Sequence, residues 1–282
     1  MEILFKYESD ARKFGCLLKS WNVEFSLKEV NNFRHIQYIV HLIKHTDSDI
    51  LLNIFIQFIL SWKKGQWAET VLKERFYYSS REEREPILEM FYDLSEGNRS
   101  QSDVILPTFD EQAFLTSVFY DFLHTSKTIS FDSFVMFRMK PYLDYIYEFT
   151  ALSIDEYKME QEYQVFVDLM RKKAAEATVQ TPLIHLLHKD GELTMYDWNF
   201  RPVDEKLLMD KVESQWMKMT NIPVKPFPVL LLVSLSPLQI YYYSETGYDQ
   251  LGHTLTNIFQ ERTAIFPVSR FYEERRQVMD PA

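Results

Sequence analysis

The sequence predicts an α+β protein. Segments alternating apolar and polar residues lie toward both ends, while a long middle stretch repeats its apolar residues every three or four positions. Of the 282 residues, 46% are hydrophobic and 26% charged, enough apolar material for a real core. The expected order is a small N-terminal β-α-β-β fragment (1–46), a mainly helical region (47–178) and a strand-rich C-terminal α/β segment (179–282). The outer fragments are expected to share one sheet, because a piece as small as 1–46 cannot bury a core alone.

At the N-terminus, Ile3–Tyr7 reads as a short strand. Asp10 can cap a helix running to Trp21, with Phe14, Leu17, Leu18 and Trp21 at helical spacing. Val23–Lys28 alternates as a strand, and Asn31-Asn32 turns the chain into a second strand, His35–Leu42. Asp49 is the expected cap of a helix Ile50–Trp62, followed by helices Trp67–Tyr78 and Ile87–Leu94. Ser95–Ser102 is polar and reads as a surface loop. Asp110 starts the helix that carries Leu115, Val118, Phe119 and Phe122. Pro141 interrupts or opens the next one, and a long helix follows over Ile154–Ala175, with Tyr163, Phe166, Val167, Met170 and Ala174 as its stripe.

Strand character returns after Pro182. Leu183–His188 and Glu192–Trp198 flank Asp190-Gly191, a strong hairpin signal that pairs Lys189 with Glu192 and His185 with Tyr196. A helix Asp204–Met219 precedes Pro223, Pro226 and Pro228, and the apolar run Val229–Leu235 reads as a strand. Pro237 demands a break or bulge before the strand Ile240–Tyr243. A last helix presents Tyr248, Leu251, Leu255, Ile258 and Phe259.

Several function classes are disfavoured. The net charge of −10 repels nucleic acid, and the short basic runs Arg171-Lys172-Lys173 and Arg275-Arg276 read as solvated helix faces and ends. Only six glycines are present, with no phosphate loop, no Gly-x-Gly-x-x-Gly and no Gly-x-Ser-x-Gly. No intrachain disulfide can form from the single Cys16, which reads as a small core residue. The opening residues are neither a basic leader nor a long apolar stretch, and both Ile50–Trp62 and Val229–Tyr243 fall short of the ~20 apolar residues of a membrane span. The expected location is cytoplasmic, with no integral membrane segment, no cofactor and no nucleic-acid partner.

The segments Phe137-Arg138-Met139-Lys140-Pro141-Tyr142, Asp155-Glu156-Tyr157-Lys158 and Glu162-Tyr163-Gln164-Val165-Phe166-Val167-Asp168-Leu169-Met170-Arg171 resemble the YtxC-like sporulation proteins of endospore-forming Firmicutes. The order of features agrees along most of the chain. The resemblance implies a role in sporulation; it carries over no catalytic residue, because the family has no assigned active site.

Candidate sites remain few. His41 and His45 have the spacing of two metal ligands on a helix, but Leu42 stands where a zinc hydrolase has Glu, and His41 falls near a strand end. His185 and His188 point to opposite faces of the predicted hairpin, which excludes a shared metal. Glu156 and Glu160 lack the Glu-x-x-His repeat of iron-binding bundles and read as a solvated acidic face. Ser79-Ser80 and Ser234-x-Ser236 have no implied base. Arg138, in an aromatic setting, either pairs with an acid such as Asp144 or Glu148 or forms an anion or partner-carboxylate contact. The 17 tyrosines, Tyr241-Tyr242-Tyr243 among them, suit either an interface or core packing. No catalytic, cofactor-binding or metal residue is predicted. The expected function is non-enzymatic, through an unknown protein partner; the alternative is an enzyme of unrecognised type whose site forms only in the fold.

Overall fold

A computed structural model describes residues 1–32, 35–44, 46–96, 109–125, 128–204 and 226–279. The chain forms two compact units, Met1–Tyr157 and Lys158–Ala282. Both contain helices and a mixed sheet, so the protein is α+β.

In the first unit, β1 (Glu2–Phe5), α1 (Glu8–Ser20), β2 (Phe25–Asn32) and β3 (His35–Leu42) form the anticipated β-α-β-β piece. A three-residue strand, β4 (Thr128–Ser130), completes a sheet of order β2-β3-β1-β4, pairing parallel to β1. The register sets Ile3 against Val40 and Ile129, so alternate residues of three strands bury one apolar face. Phe14 and Leu18 of α1 cover that face together with helix α2 (Ser48–Phe58). Phe5 sits 5.3–5.8 Å from the rings of Phe14, Phe58 and Phe131, which explains much of the phenylalanine excess. Cys16 is exposed, contrary to its reading as core: Ala11, Phe14, Gly15 and Leu18 turn inward and leave position 16 on the outer face. Gly15 lets α1 lie close against Phe25 of β2, since a Cβ there would meet that ring at 2.8 Å.

Two expected caps are displaced. Asp47, not Asp49, caps α2, accepting the Asp49 N–H at 3.0 Å. Helix α1 starts before Asp10, whose buried carboxylate accepts from Lys63 Nζ at 2.8 Å and Trp62 Nε1 at 2.9 Å. The two helices foreseen over 50–78 are one continuous run: α2 passes through a π-helical turn (Ile59–Lys63) into α3 (Lys64–Glu74). Beyond it lie α4 (Arg81–Ser95), with a Ser80/Glu83 capping box, and α5 (Glu111–Thr125), capped by Asp110 as expected. Ser95 ends α4; most of the predicted loop after it lies outside the described residues. Helix α6 (Phe131–Arg138) leads to α7 (Lys140–Glu176), which Pro141 opens, its missing N–H falling in the first turn.

The second unit begins within α7. The hairpin β5 (Thr181–Lys189) and β6 (Glu192–Asp197) has the predicted register, Lys189 against Glu192 and His185 against Tyr196. Its two turn residues both take positive φ, 52° at Asp190 and 77° at Gly191, the geometry of a primed turn. The run Val229–Leu235 is not a strand but the end of helix α8 (Pro226–Leu235). An unalternating apolar run suits a buried helix as well as a buried strand, and here Val229 through Leu232 are all buried. The β5–β6 hairpin has already returned the chain, so the helix owes its place to burial in the second unit's core, and β7 (Pro237–Ser244) then runs parallel to β5. Then α9 (Gln250–Phe259), β8 (Thr263–Pro267) and α10 (Val268–Met279) complete a sheet of order β6-β5-β7-β8. The predicted helix after Asp204 lies outside the described residues.

The expected shared sheet is therefore wrong: among the described residues two separate four-stranded sheets form. Each unit supplies its own fourth strand, β4 in one and β8 in the other, and the N-terminal fragment buries its apolar face on helices of its own unit.

Candidate functional site

The candidate metal and carboxylate pairs disperse. His41 Nδ1 lies 3.5 Å from Glu2 Oε1, while His45 is outside the described residues. Glu156 is buried, which corrects its reading as part of a solvated face; Glu160 accepts from Gln164 Nε2 at 2.8 Å. Among the described residues, no three His, Cys, Asp or Glu side chains converge as a metal site. Ser80 caps α4, and Ser234 donates to Leu230 O.

His185 and His188 do face opposite sides of the second sheet, and each ends in a polar chain. His185 is buried, stacked 4.1 Å from Phe200, with Nδ1 2.9 Å from the Tyr243 hydroxyl. That hydroxyl donates to Glu274 at 2.7 Å, and Arg270 holds the same carboxylate. Burial lowers the His185 pKa, although Glu274 and Asp197 pull the other way. A neutral imidazole follows, with its proton on Nδ1, since the Tyr243 proton is already given to Glu274. On the other face, His188 Nδ1 lies 2.8 Å from the Tyr242 hydroxyl and 3.0 Å from Asp249 Oδ2. Asp249 caps α9 and also accepts from Tyr242, Ser244 and the Gly252 N–H. Burial pushes its carboxyl up, but these hydrogen bonds outweigh burial and hold it below the ordinary value. Tyr242 and Tyr243 are thus core residues with carboxylate-bound tips, and both phenols are driven upward by burial and those carboxylates.

The His188–Asp249 pair stands at the carboxyl ends of parallel strands, where open sheets of this kind take ligands. Such a pair can orient an imidazole for proton transfer. No sequence signal joined residues 61 positions apart; only an Asp placed to cap a helix directly after a strand hinted at it.

Arg138 lies at the end of α6 and is exposed, so burial exacts nothing from it. Among the described residues it pairs with neither Asp144 nor Glu148. Beside it Met136 and Phe137 are 67% and 72% exposed, unlike their neighbours Phe134 and Met139, which are buried. Two residues on, Lys140, Leu143, Asp144 and Tyr147 form one wall of an open groove of about 740 Å³. Trp67, Val71 and Tyr77 line it from the other side. Tyr77 is 81% exposed and held at φ 60°, an uncommon conformation for a bulky residue.

The YtxC-like family model matches residues 49–264. The chain belongs to the YtxC-like family. It is also 25% identical over 228 residues to a Bacillus subtilis (strain 168) protein named "Uncharacterized protein YtxC", an alignment covering 77% of this chain and 76% of that one. No solved structure matches the chain. The family region runs from α2 to β8 and contains both the α6–α7 surface and the His188–Asp249 pair. Among the described residues no helix is long and apolar enough to cross a membrane.

Proposed function

We propose that this YtxC-like protein acts in endospore formation, without catalysis, by binding a protein partner through the α6–α7 surface of its first unit. The observation that carries the reading is the exposed Met136-Phe137-Arg138 run, two residues before Lys140 in the wall of a groove that Trp67, Tyr77 and Tyr147 also line. An aromatic anchor next to an unpaired guanidinium is the composition of interface centres. Arg138 and Lys140 fit a partner whose apolar recess is edged by carboxylates. The resemblance to sporulation proteins supplies the biological setting, and the acidic net charge argues against a nucleic-acid partner. The test is affinity capture from sporulating cells with wild type and a Phe137→Ser/Arg138→Glu variant. One stoichiometric partner should be recovered with wild type and lost with the variant at an unchanged thermal midpoint. Equal recovery with both would contradict the assignment.

One observation favours a second reading, an enzyme of unrecognised type. His188 is held by an ionised Asp249 and is only partly covered, as a general base requires. His188→Gln would then abolish sporulation while leaving partner capture intact.

A further inference from the structure

A second surface feature lies in the other unit and is independent of the partner-binding reading. An open cleft of about 610 Å³ sits at the carboxyl ends of β7 and β8. Ser244, Glu245, Thr246, Tyr248, Thr256 and Thr263 give it its polar character.

A hydroxyl has one proton to give and two lone pairs to receive with. Here each lining hydroxyl has given its proton to the protein. Ser244 donates to Asp249 at 3.2 Å, so in its 3.2 Å contact with Thr246 the threonine must be the donor. Tyr248 donates to Thr256 at 3.2 Å, and Thr256 passes its own proton to Gly252 O at 2.9 Å. Thr263 donates to Leu255 O at 3.3 Å. What the side chains offer a ligand is therefore lone pairs, together with the Glu245 carboxylate, which accepts from the Asp190 N–H at 3.2 Å. Phosphate, carboxylate and other acceptor-only ligands find no side-chain donor among these groups. A ligand that only donates finds acceptors. The net charge of −10 adds a long-range attraction of the same sign.

We infer that this cleft binds an organic primary ammonium ion carrying several N–H donors, of the polyamine class, with Glu245 as the counter-charge and the Thr256 and Thr263 oxygens as acceptors. Calorimetric titration of the full chain with spermidine at ~150 mM ionic strength tests it. Saturable binding with one site per chain is expected, at least tenfold weaker in Glu245→Gln and at least threefold weaker in Thr256→Val. Glu29→Gln, a charge removed from β2 in the other unit, should change nothing. Because an acidic protein attracts any polycation, equal weakening by Glu245→Gln and Glu29→Gln would overturn the site, as would absence of saturation or matching affinity for Mg²⁺. Saturable binding of inorganic phosphate would overturn the donor bookkeeping. A titration with N-acetyl-trilysine amide separates the sources: tighter binding than spermidine assigns the ammonium to a lysine of another protein, weaker binding to a free polyamine. Thr256→Val, which keeps the shape of the side chain, serves if Glu245→Gln loses its fold.

Discussion

His185 shows how a single residue can be structural and still titrate. Its imidazole is buried, pairs with Tyr243 and, among the described residues, has no partner at Nε2. Burial depresses its folded pKa below the ordinary 6.5, so below that value the unfolded chain takes up a proton that the folded chain does not. The stability His185 allows is complete above pH 6.5 and drains away as pH falls beneath it. Asp249 and Glu274 have depressed pKa values too, and their contribution is lost only at lower pH, as each carboxylate protonates below its ordinary range. In His185→Asn the amide nitrogen can still donate to Tyr243 but cannot titrate. Urea unfolding from pH 7 down to 5.5 should show wild type losing stability and the variant holding nearly level; parallel slopes would count against a buried neutral imidazole. None of this could be read from the sequence beyond the opposed faces of His185 and His188, because Glu274 and Asp249 reach those histidines only through the tertiary fold.

Elements were legible where local chemistry decides them. Asp190-Gly191 is a turn by its own backbone preferences, and the register it imposes is the one observed. The long stripe from Tyr163 to Ala174 is likewise a local pattern, and Phe166, Val167 and Met170 are buried on it. Nonlocal partners decided the rest. Asp10 looked like a cap but is drawn into α1 by Lys63, and α8 looked like a strand because its unbroken apolar run, buried in the second core, shows no helical period. The strands β4 and β8, three and five residues long, carry too few residues for a period to show. Two predictions belong here. Asp10→Ala leaves Lys63 buried without its counter-charge and should cost about 3–5 kcal/mol in chemical unfolding, part of which Lys63→Met restores in the double variant. Leu231→Ala, in the middle of α8, should cost about 2–5 kcal/mol through lost burial and the cavity left behind.

Over the whole molecule, the distribution of aromatic side chains separates packing from recognition. Most phenylalanines of the first unit are consumed in its core, and Tyr242 and Tyr243 in that of the second. Phe137 and Tyr77 escape this accounting as strongly exposed rings, Tyr77 in a groove that Trp67 and Tyr147 also line. Composition revealed the aromatic excess, but only the fold shows which rings are left over. That surplus is the ground for a partner-binding role. A photo-crosslinking residue placed at position 137 in sporulating cells tests it most directly, with position 165, also an exposed site but in the second unit, as the reference. One adduct of defined mass from 137 and none from 165 is the predicted result. No adduct at 137, or the same adducts from both positions, would contradict it.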